Sequence, residues 1–361
     1  MAMVRNLKVW TAVLGVAFPL IAWAQGGIGA GGANAGAIGG PFRFDASWPK
    51  PLPKSARLGS VNGLDVDAGQ HVWVLQQGSD LPPVLAFDVA GNLVSQWGPS
   101  AGLNRPLSGP LRVDATENLW IVSERVSTEA LLPSAREAWV VKFSRTGVRQ
   151  LELGNAAEPG GVEKPSRLTH PVALAVDAKA NELYVLDKGT SQRVVVFNAM
   201  TGAFAREWRV SEVAISRVAV LSNRGLARPL PPFRELSAIA LGSDGLVYVG
   251  DRQTGCVYLF RKDGTLASHA YFAKDGAPTL YPWDFAFSRD PLQRFLYVAD
   301  GDSNRLMVID HSTVRLDILG AVPTDNQRDG TGPVSRVAAD SKDNVYAVVG
   351  QALRRWVRDV R

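Results

Sequence analysis

Cysteine is almost absent from this chain: among its 361 residues, only Cys256 carries a thiol. A single cysteine excludes an internal disulfide, so the stability of the fold has to come from apolar packing. Several catalytic motifs are missing as well, namely the Gly-x-Ser-x-Gly elbow, the His-Glu-x-x-His helix, the Gly-Lys-Ser/Thr phosphate loop and paired cysteines. These absences favour a binding protein over an enzyme.

A concentrated positive charge is also absent. The formal net charge is +5 at pH 7, but the lysines and arginines are spread along the chain. A nucleic-acid-binding surface normally collects them in a patch or stripe. We therefore expect no nucleic-acid partner.

The first 24 residues have the pattern of a cleaved signal peptide. Arg5 and Lys8 form the basic end, residues 9–21 are apolar, and Ala22-Trp23-Ala24 supplies small residues for cleavage. The apolar stretch is shorter than the roughly 20 residues that a membrane-spanning helix needs. We predict a signal peptide at 1–24, export to the periplasm or the medium, and no membrane span after cleavage.

Two further segments follow the predicted cleavage site. Residues 25–41 are rich in Gly and Ala, a composition that cannot bury apolar surface and is typical of a flexible leader. Residues 42–361 show no shift in composition and are predicted to form one large domain, which we expect to be monomeric.

That domain is built from six repeated units. Each unit has an apolar strand that ends in Asp or a small residue, then a turn, then a second strand with an aromatic residue at a matching place: Trp73, Trp120, Tyr184, Tyr248, Tyr297 and Tyr346. Successive aromatics are 47 to 64 residues apart, which indicates propeller blades rather than helical solenoids. The third unit contains four short apolar strands between residues 174 and 208. The sequence therefore predicts an all-β, six-bladed β-propeller.

The sixth unit ends after its third strand, because the sequence stops at Arg361. An unpaired outer edge would be left exposed in that blade. Phe42-Arg43-Phe44 precedes the first unit and alternates as a strand should. We predict that this segment supplies the missing outer strand and closes the ring.

Strand direction predicts the face that carries the site. In an antiparallel four-stranded blade, the loop between strands two and three emerges beside the connection from the preceding blade. The two longest inserts, predicted at 123–137 and 210–236, both lie on that face. Loops of this length are often functional, so we predict that ligands bind at this end of the ring, called here the insert end.

Some strand-loop-strand segments carry a family resemblance. Val185-Leu186-Asp187 with Gln192-Arg193-Val194, and Val298-Ala299-Asp300 with Asn304-Arg305-Leu306, resemble the repeats of NHL propellers. Segments 281–287 and 294–300 look like exported bacterial propellers related to the peptidyl-α-hydroxyglycine α-amidating lyase domain.

The resemblance to that lyase domain implies a zinc ion held by three axial histidines that precede first strands. The matching positions here are occupied by other residues: Asn62, Gly109, Val172, Ser237, Trp283 and Ser335. None of them is histidine. The resemblance therefore supports the fold more strongly than the lyase chemistry.

Seven residues near the insert end are the predicted ligand-binding set: Asn62, His170, Arg193, Ser237, Trp283, Asp284 and Arg336. An imidazole can exchange a proton near neutral pH, and an indole beside a carboxylate can stack on and orient a polar ligand. The alternatives are that His170 is a solvated loop residue, that Trp283 plugs the channel, and that Arg193 and Arg336 form salt bridges between blades.

Other candidate residues are expected to be structural. Asp187, Asp251 and Asp300 recur at one place in three units, which favours closing their own loops. Cys256 is expected to be a small buried residue, and the remaining three histidines are expected at the surface: His71, His269 and His311.

The sequence thus leaves three functions open. We expect first an exported binding module for a peptide, a glycan, a small polar ligand or another protein, with no metal or cofactor. The alternative is an enzyme, either a diverged amidating lyase or a lactonase-like hydrolase, for which alone zinc or calcium is expected. The third is a scaffold whose channel is blocked by apolar side chains.

Overall fold

The structure is a computed structural model that describes residues 42–98, 106–126, 136–154, 165–189, 192–210, 235–274, 277–312, 316–322 and 332–359. The predicted signal peptide and leader, at residues 1–41, lie outside these ranges. The described chain is almost wholly β-strand, with one short 3-10 turn at Pro53–Ser55. None of its helical segments has the length and apolar character needed to cross a bilayer.

Six antiparallel sheets of four strands form the blades of a propeller. Blade 1 contains β2 (Ser60–Val66), β3 (Val72–Gln77), β4 (Val84–Phe87) and β5 (Leu93–Trp97). Blade 2 contains β6 (Leu107–Val113), β7 (Leu119–Val126), β8 (Arg136–Phe143) and β9 (Arg149–Leu153). Blade 3 contains β10 (Pro171–Asp177), β11 (Glu182–Asp187), β12 (Arg193–Asn198) and β13 (Phe204–Arg209).

Blade 4 contains β14 (Leu236–Leu241), β15 (Val247–Asp251), β16 (Cys256–Phe260) and β17 (Leu266–Tyr271). A short hairpin of β18 (Ala273–Lys274) and β19 (Ala277–Pro278) leads to blade 5, which contains β20 (Pro282–Phe287), β21 (Phe295–Asp300), β22 (Arg305–Asp310) and β23 (Asp317–Val322). Blade 6 contains β24 (Val334–Ala339), β25 (Val345–Val349), β26 (Ala352–Arg358) and β1 (Phe42–Phe44).

The N-terminal strand closes the ring as predicted. β1 pairs antiparallel with β26, placing Phe42 opposite Arg358 and Phe44 opposite Trp356. The first strand of every blade lies on the inside, where it contacts the first strand of the next blade, and β24 in turn contacts β2. The predicted six-bladed, all-β fold is confirmed.

Three tryptophans hold neighbouring blades together in the same way. Trp97 is the last residue of the outer strand of blade 1, Trp208 is the second last residue of the outer strand of blade 3, and Trp48 lies four residues beyond β1 in blade 6. Each indole lies against a glycine in the next blade's last turn, where an added Cβ would come within 2.7–2.9 Å of the ring: Gly147, Gly264 and Gly91, respectively. Trp48 thus seals the joint between blades 6 and 1.

The aromatic residues that marked the repeats are buried between blades. Their polar atoms explain why Asp recurs at the end of the first strand. Trp73 donates from Nε1 to Asp67, Trp120 to Asp114, and the Tyr346 hydroxyl donates to Asp340. A buried N–H or O–H needs such a partner. In blades 1, 2 and 6, the carboxylate after the first strand therefore satisfies the aromatic on the second strand.

One predicted insert is shorter in the structure. β7 and β8 pair from Leu119 opposite Phe143 as far as Val126 opposite Arg136. Residues 123–126 and 136–137, predicted as loop, therefore belong to the hairpin, because their backbone groups continue the ladder. The remainder of that insert, 127–135, and residues 211–234 of the second lie outside the described residues.

We predict that Gly264→Ala destabilises the protein more than Gly245→Ala does. Both glycines have a left-handed φ, +92° and +82°, so alanine costs about 1–2 kcal/mol at either site. A Cβ at Gly264 would also meet Trp208 at 2.7 Å, whereas Gly245 has open space. Overpacking adds about 1–3 kcal/mol. Urea denaturation of both variants measures the difference, and equal losses would show that the Trp208 joint does not constrain this turn.

Candidate functional site

All six inner strands carry a β-bulge or register shift near their starts. The irregularities fall at the six positions that correspond to the lyase histidines: Asn62, Gly109, Val172, Ser237, Trp283 and Ser335. All six are half-exposed, although their flanking strand residues are mostly buried. A bulge redirects a side chain out of the regular alternation, so these six residues form a ring at the insert end of the channel.

An ion pair spans the channel below this ring. Arg112 in β6 donates from Nη2 to Asp284 in β20, and blades 2 and 5 stand opposite each other in the six-bladed circle. Asp284 also accepts the amide of Val337 at 3.2 Å. Burial alone would lower the pKa of Arg112, but the carboxylates of Asp284 and Asp65 outweigh it and raise the pKa. The guanidinium therefore stays charged.

A cavity of about 220 Å³ occupies the channel beyond this ion pair. Its lining comes from the last residues of the inner strands, so it lies at the end that carries the turns between strands one and two, called here the turn end. One wall is polar, with Asp65, Arg112 and Arg289. The apolar lining comes mainly from blades 3, 4 and 5, where Val176, Leu241 and Ala286 are partly exposed and Leu174, Ile239, Phe285 and Phe287 are buried.

The turn after β20 braces the mouth of the cavity. Seven residues, 288–294, separate β20 from β21, whereas four or five separate the first two strands of the other blades. Arg289 uses this length to donate to the carbonyls of Ala339 in blade 6 at 3.2 Å and Val66 in blade 1 at 2.9 Å. Its Nη2 also lies 3.6 Å from Asp65. The turn thereby ties three blades together around the opening.

Known proteins resemble this chain in sequence or in fold. Mouse NHL repeat-containing protein 3 is 24% identical over 291 residues, which is 78% of this chain and 71% of the mouse protein. No family model matches the sequence. The chain is a six-bladed β-propeller that is similar in sequence to an NHL-repeat protein.

Solved structures share the fold at low identity. A gluconolactonase from Xanthomonas campestris is 18% identical with a TM-score of 0.53, covering 89% of this propeller and 96% of the lactonase. A virginiamycin B lyase from Staphylococcus aureus, solved with quinupristin, is 11% identical with a TM-score of 0.52, covering 88% and 99%. The predicted resemblance to amidating lyases stays a prediction.

The bulge ring does not fit the zinc site that the lyase resemblance implies, because it holds no imidazole. Among the residues that the structure describes, no three His, Cys, Asp or Glu side chains form a group suited to a metal ion. The ring instead joins adjacent blades: Arg336 donates to the Asn62 carbonyl at 2.8 Å, and the Ser237 hydroxyl donates to the Pro282 carbonyl.

The seven predicted ligand residues lie at three depths in the propeller. Asn62, Ser237 and Trp283 belong to the bulge ring. Asp284 and Arg336 are the residues directly after the bulge positions of strands β20 and β24. Trp283 lies over Gly301, with the Arg252 guanidinium 4.7 Å from its ring centroid. The lining of the turn-end cavity includes none of the seven, so their predicted role in binding stays a prediction.

Arg193 and His170 lie away from the inner wall of the channel. All five N–H groups of Arg193 have acceptors: Asp187, Glu207 and the carbonyls of Pro165 and Arg167. Both ion pairs lie within blade 3, so they differ from the salt bridge between blades that the alternative described. The His170 ring lies 3.8 Å from Glu124, and its amide donates to Asp187 at 2.6 Å.

The recurring Asp residues join the loops at the insert end. Asp251 accepts the amides of Gln253 and Thr254 in its own loop, and also that of Glu235 before β14. Asp300 accepts Ser303 and Tyr281 in the same pattern. Cys256 is fully buried, and burial raises the pKa of its thiol, so it is the unreactive residue that the sequence indicated.

Sequence reasoning missed the polar wall of the cavity. Asp65 and Arg112 occupy the place on their inner strands that four other blades fill with alanine: Ala175, Ala240, Ala286 and Ala338. Two charged residues at a position that is otherwise alanine were a visible signal. Arg289 gave no such signal in the sequence, because the position of its side chain depends on how the turn folds.

Two histidines expected at the surface are buried instead. The His269 residue is 6% exposed, and the His311 side chain is 6% exposed. His311 lies between blades 4 and 5, where its Nδ1 is 2.7 Å from the Gln293 carbonyl in the bracing turn. Its Nε2 is 2.7 Å from the Tyr248 hydroxyl, which is itself 2.7 Å from Asp244.

Counting protons assigns the charge of His311. The Gln293 carbonyl only accepts, so Nδ1 carries a proton. The single Tyr248 proton can serve Asp244 or Nε2, and both contacts are satisfied only when Nε2 is protonated too. Burial lowers the pKa of His311, but the hydrogen bonds to Asp244 and to the Gln293 carbonyl, with the charges of Asp244 and Asp310, outweigh it and raise the pKa.

We predict that His311 makes the propeller less stable as the pH rises. A pKa raised by folding contributes stability that is complete below the ordinary histidine pKa of about 6.5 and is lost as pH climbs through the folded value. His311→Gln should remove this part of the pH dependence of the unfolding free energy, measured by urea denaturation between pH 5 and 9.

His269 provides a control of opposite sign. Burial lowers its pKa, so its contribution is lost as pH falls, and His269→Gln should flatten the acid side instead. If His311→Gln leaves the alkaline decline unchanged, the doubly protonated state assigned to His311 is wrong.

Proposed function

We propose that this protein is an exported, monomeric binding protein that holds a small molecule in the turn-end cavity. The observation that carries the proposal is the composition of the cavity: all six inner strands contribute to it, and its lining combines the charged side chains of Asp65, Arg112 and Arg289 with apolar residues. Ligand sites in proteins typically combine apolar walls with a few fixed polar groups. The volume of about 220 Å³ lies below the range of roughly 300–1,000 Å³ that suits drug-sized molecules, which supports a small ligand.

The contents of the channel argue against a pure scaffold. A scaffold gains most from apolar side chains on its axis, since a buried ion pair is often no more stabilising than an apolar replacement of similar volume. This axis instead carries Arg112, Asp284, Asp65 and Arg336, with the side chains of the first two only 12% and 4% exposed. A ligand site therefore explains these buried charges better than a scaffold does.

The carboxylates near the cavity favour binding over acid–base catalysis. Both oxygens of Asp65 accept backbone amides, Val66 at 2.8 Å and Val113 at 2.8 Å. Asp284 accepts Arg112 and Val337. These hydrogen bonds fix both carboxylates within the ring, a structural role that accounts for them without acid–base chemistry. An enzyme related to the lyases or lactonases is the weaker proposal.

The test is whether a probe binds in this cavity. Benzoate, benzamide and benzylamine share one size and differ in charge, so at least one should bind the wild-type protein in a calorimetric titration. Ala286→Met extends a half-buried lining residue into the cavity and should weaken that probe at least tenfold.

Ala205→Met is the matched control, because Ala205 is exposed on the outer strand β13. It should leave binding unchanged. Failure of all three probes, or a probe whose affinity is the same in Ala286→Met and the wild type, would overturn the proposed function.

A further inference from the structure

The arginines around the axis keep more hydrogen-bond donors than the described residues use. Arg112 donates from Nη1 to the carbonyls of Leu64 and Leu111 and from Nη2 to Asp284. Its Nε and one Nη2 hydrogen meet no acceptor among the described residues. Arg289 donates only from Nε and Nη2, which leaves its Nη1 without an acceptor in the described part of the chain.

The neighbouring carboxylates are satisfied by contrast. Asp65 and Asp284 each accept hydrogen bonds on both oxygens, three of the four from backbone amides or a guanidinium in another blade. The N–H donors that remain unused at the axis all belong to cations, whereas each of these carboxylate oxygens already has a partner. Such donors are complemented by an anionic acceptor, and guanidinium groups match carboxylate and phosphate oxygens especially well.

The charge count points the same way. Arg112, Arg289 and Arg336 supply three positive charges along the axis, whereas Asp65 and Asp284 supply two negative ones. Arg336 forms no ion pair within the described residues, and its Nε and Nη1 donate only to the carbonyls of Asn62 and Ser335. Burial lowers the pKa of Arg336, and the nearby Arg112 charge adds to that effect against the attraction of Asp284. The axis holds one positive charge in excess.

We propose that the ligand of the turn-end cavity is a small organic anion with an apolar body, its acidic group held by Arg112 and Arg289. Its body lies against the partly exposed apolar lining of Val176, Leu241 and Ala286. This inference rests on the proposed function and specifies its ligand. A carboxylate and a phosphate ester share the required acceptor chemistry.

The charge of the probe tests the inference at constant size. Wild-type protein should bind benzoate or phenyl phosphate at least tenfold more tightly than benzamide, with benzylamine weakest. Comparing benzoate with phenyl phosphate identifies the acidic group, and inorganic phosphate, which lacks the apolar body, should bind more weakly than phenyl phosphate. Hydrogen bonds to charged groups contribute about 1.5–3 kcal/mol, so Arg289→Gln should weaken the anion roughly tenfold to hundredfold.

Arg294→Gln is the matched control, because Arg294 is 52% exposed in the same turn, pairs with Asp290 at 3.4 Å, and does not line the cavity. It should leave anion affinity unchanged. Arg112→Lys keeps a charge beside Asp284 but removes the planar fork, and should also weaken the anion.

The outcomes separate this inference from the proposed function. If benzamide or benzylamine binds as tightly as benzoate and Ala286→Met still weakens that binding, the cavity is a binding site and its preference for anions is refuted. If Arg289→Gln and Arg294→Gln reduce anion affinity equally, the anion is attracted by general surface charge, and the assignment to the cavity fails.

Discussion

The antiparallel pairing of β1 with β26 is the contact on which the rest of the molecule depends. Without it, blade 6 would consist of three strands with an open edge, and its joint with blade 1 would be left to the contacts of the inner strands β24 and β2. The contact is small, three residue pairs from Phe42 to Phe44, but it is reinforced by Trp48, whose ring packs 4.8 Å from Tyr346 of blade 6 and 5.9 Å from Phe87 of blade 1. Closing the circle fixes which inner strands face each other, and only then do Arg112 and Asp284 meet.

The contact between Arg112 and Asp284 explains how charged side chains can be buried on the axis. A single buried guanidinium would be costly to desolvate, and removing one partner of a buried pair leaves the other uncompensated. Here the two partners come from opposite blades, while backbone amides from further blades complete the carboxylates, Val113 for Asp65 and Val337 for Asp284. The pair is thus a link across the ring as well as a divider of the channel. On one side lies the bulge ring, and on the other the cavity.

The fold was predictable from the sequence because its determinants are local and repeated. Each unit carries its own apolar strands, its Asp and its aromatic, so six weak signals support one another, and a missing strand at one end matches a spare strand at the other. The cavity has no such repetition. Asp65 and Arg112 depart from an alanine pattern that becomes visible only when the inner strands are aligned by their bulges. Arg289 acts through a turn whose path across blades 6 and 1 is set by tertiary contacts. Long inserts directed the prediction to the insert end, whereas short turns and inner-strand ends form the cavity.

The two ends of the channel therefore have different physical characters. At the insert end, the bulge residues are joined to neighbouring blades through Arg336, Ser237 and the loop Asp residues, so their polar groups largely serve the ring itself. At the turn end, each oxygen of Asp65 and Asp284 has a partner, while the guanidinium groups of Arg112 and Arg289 retain donors beside partly exposed apolar residues. A surface whose hydrogen bonds are complete gains little from a ligand, whereas one with unused donors gains the full charge-assisted bond. Because Arg289 and Gln293 of the bracing turn line the cavity, the ligand that we propose would contact the same turn that ties blades 5, 6 and 1 together.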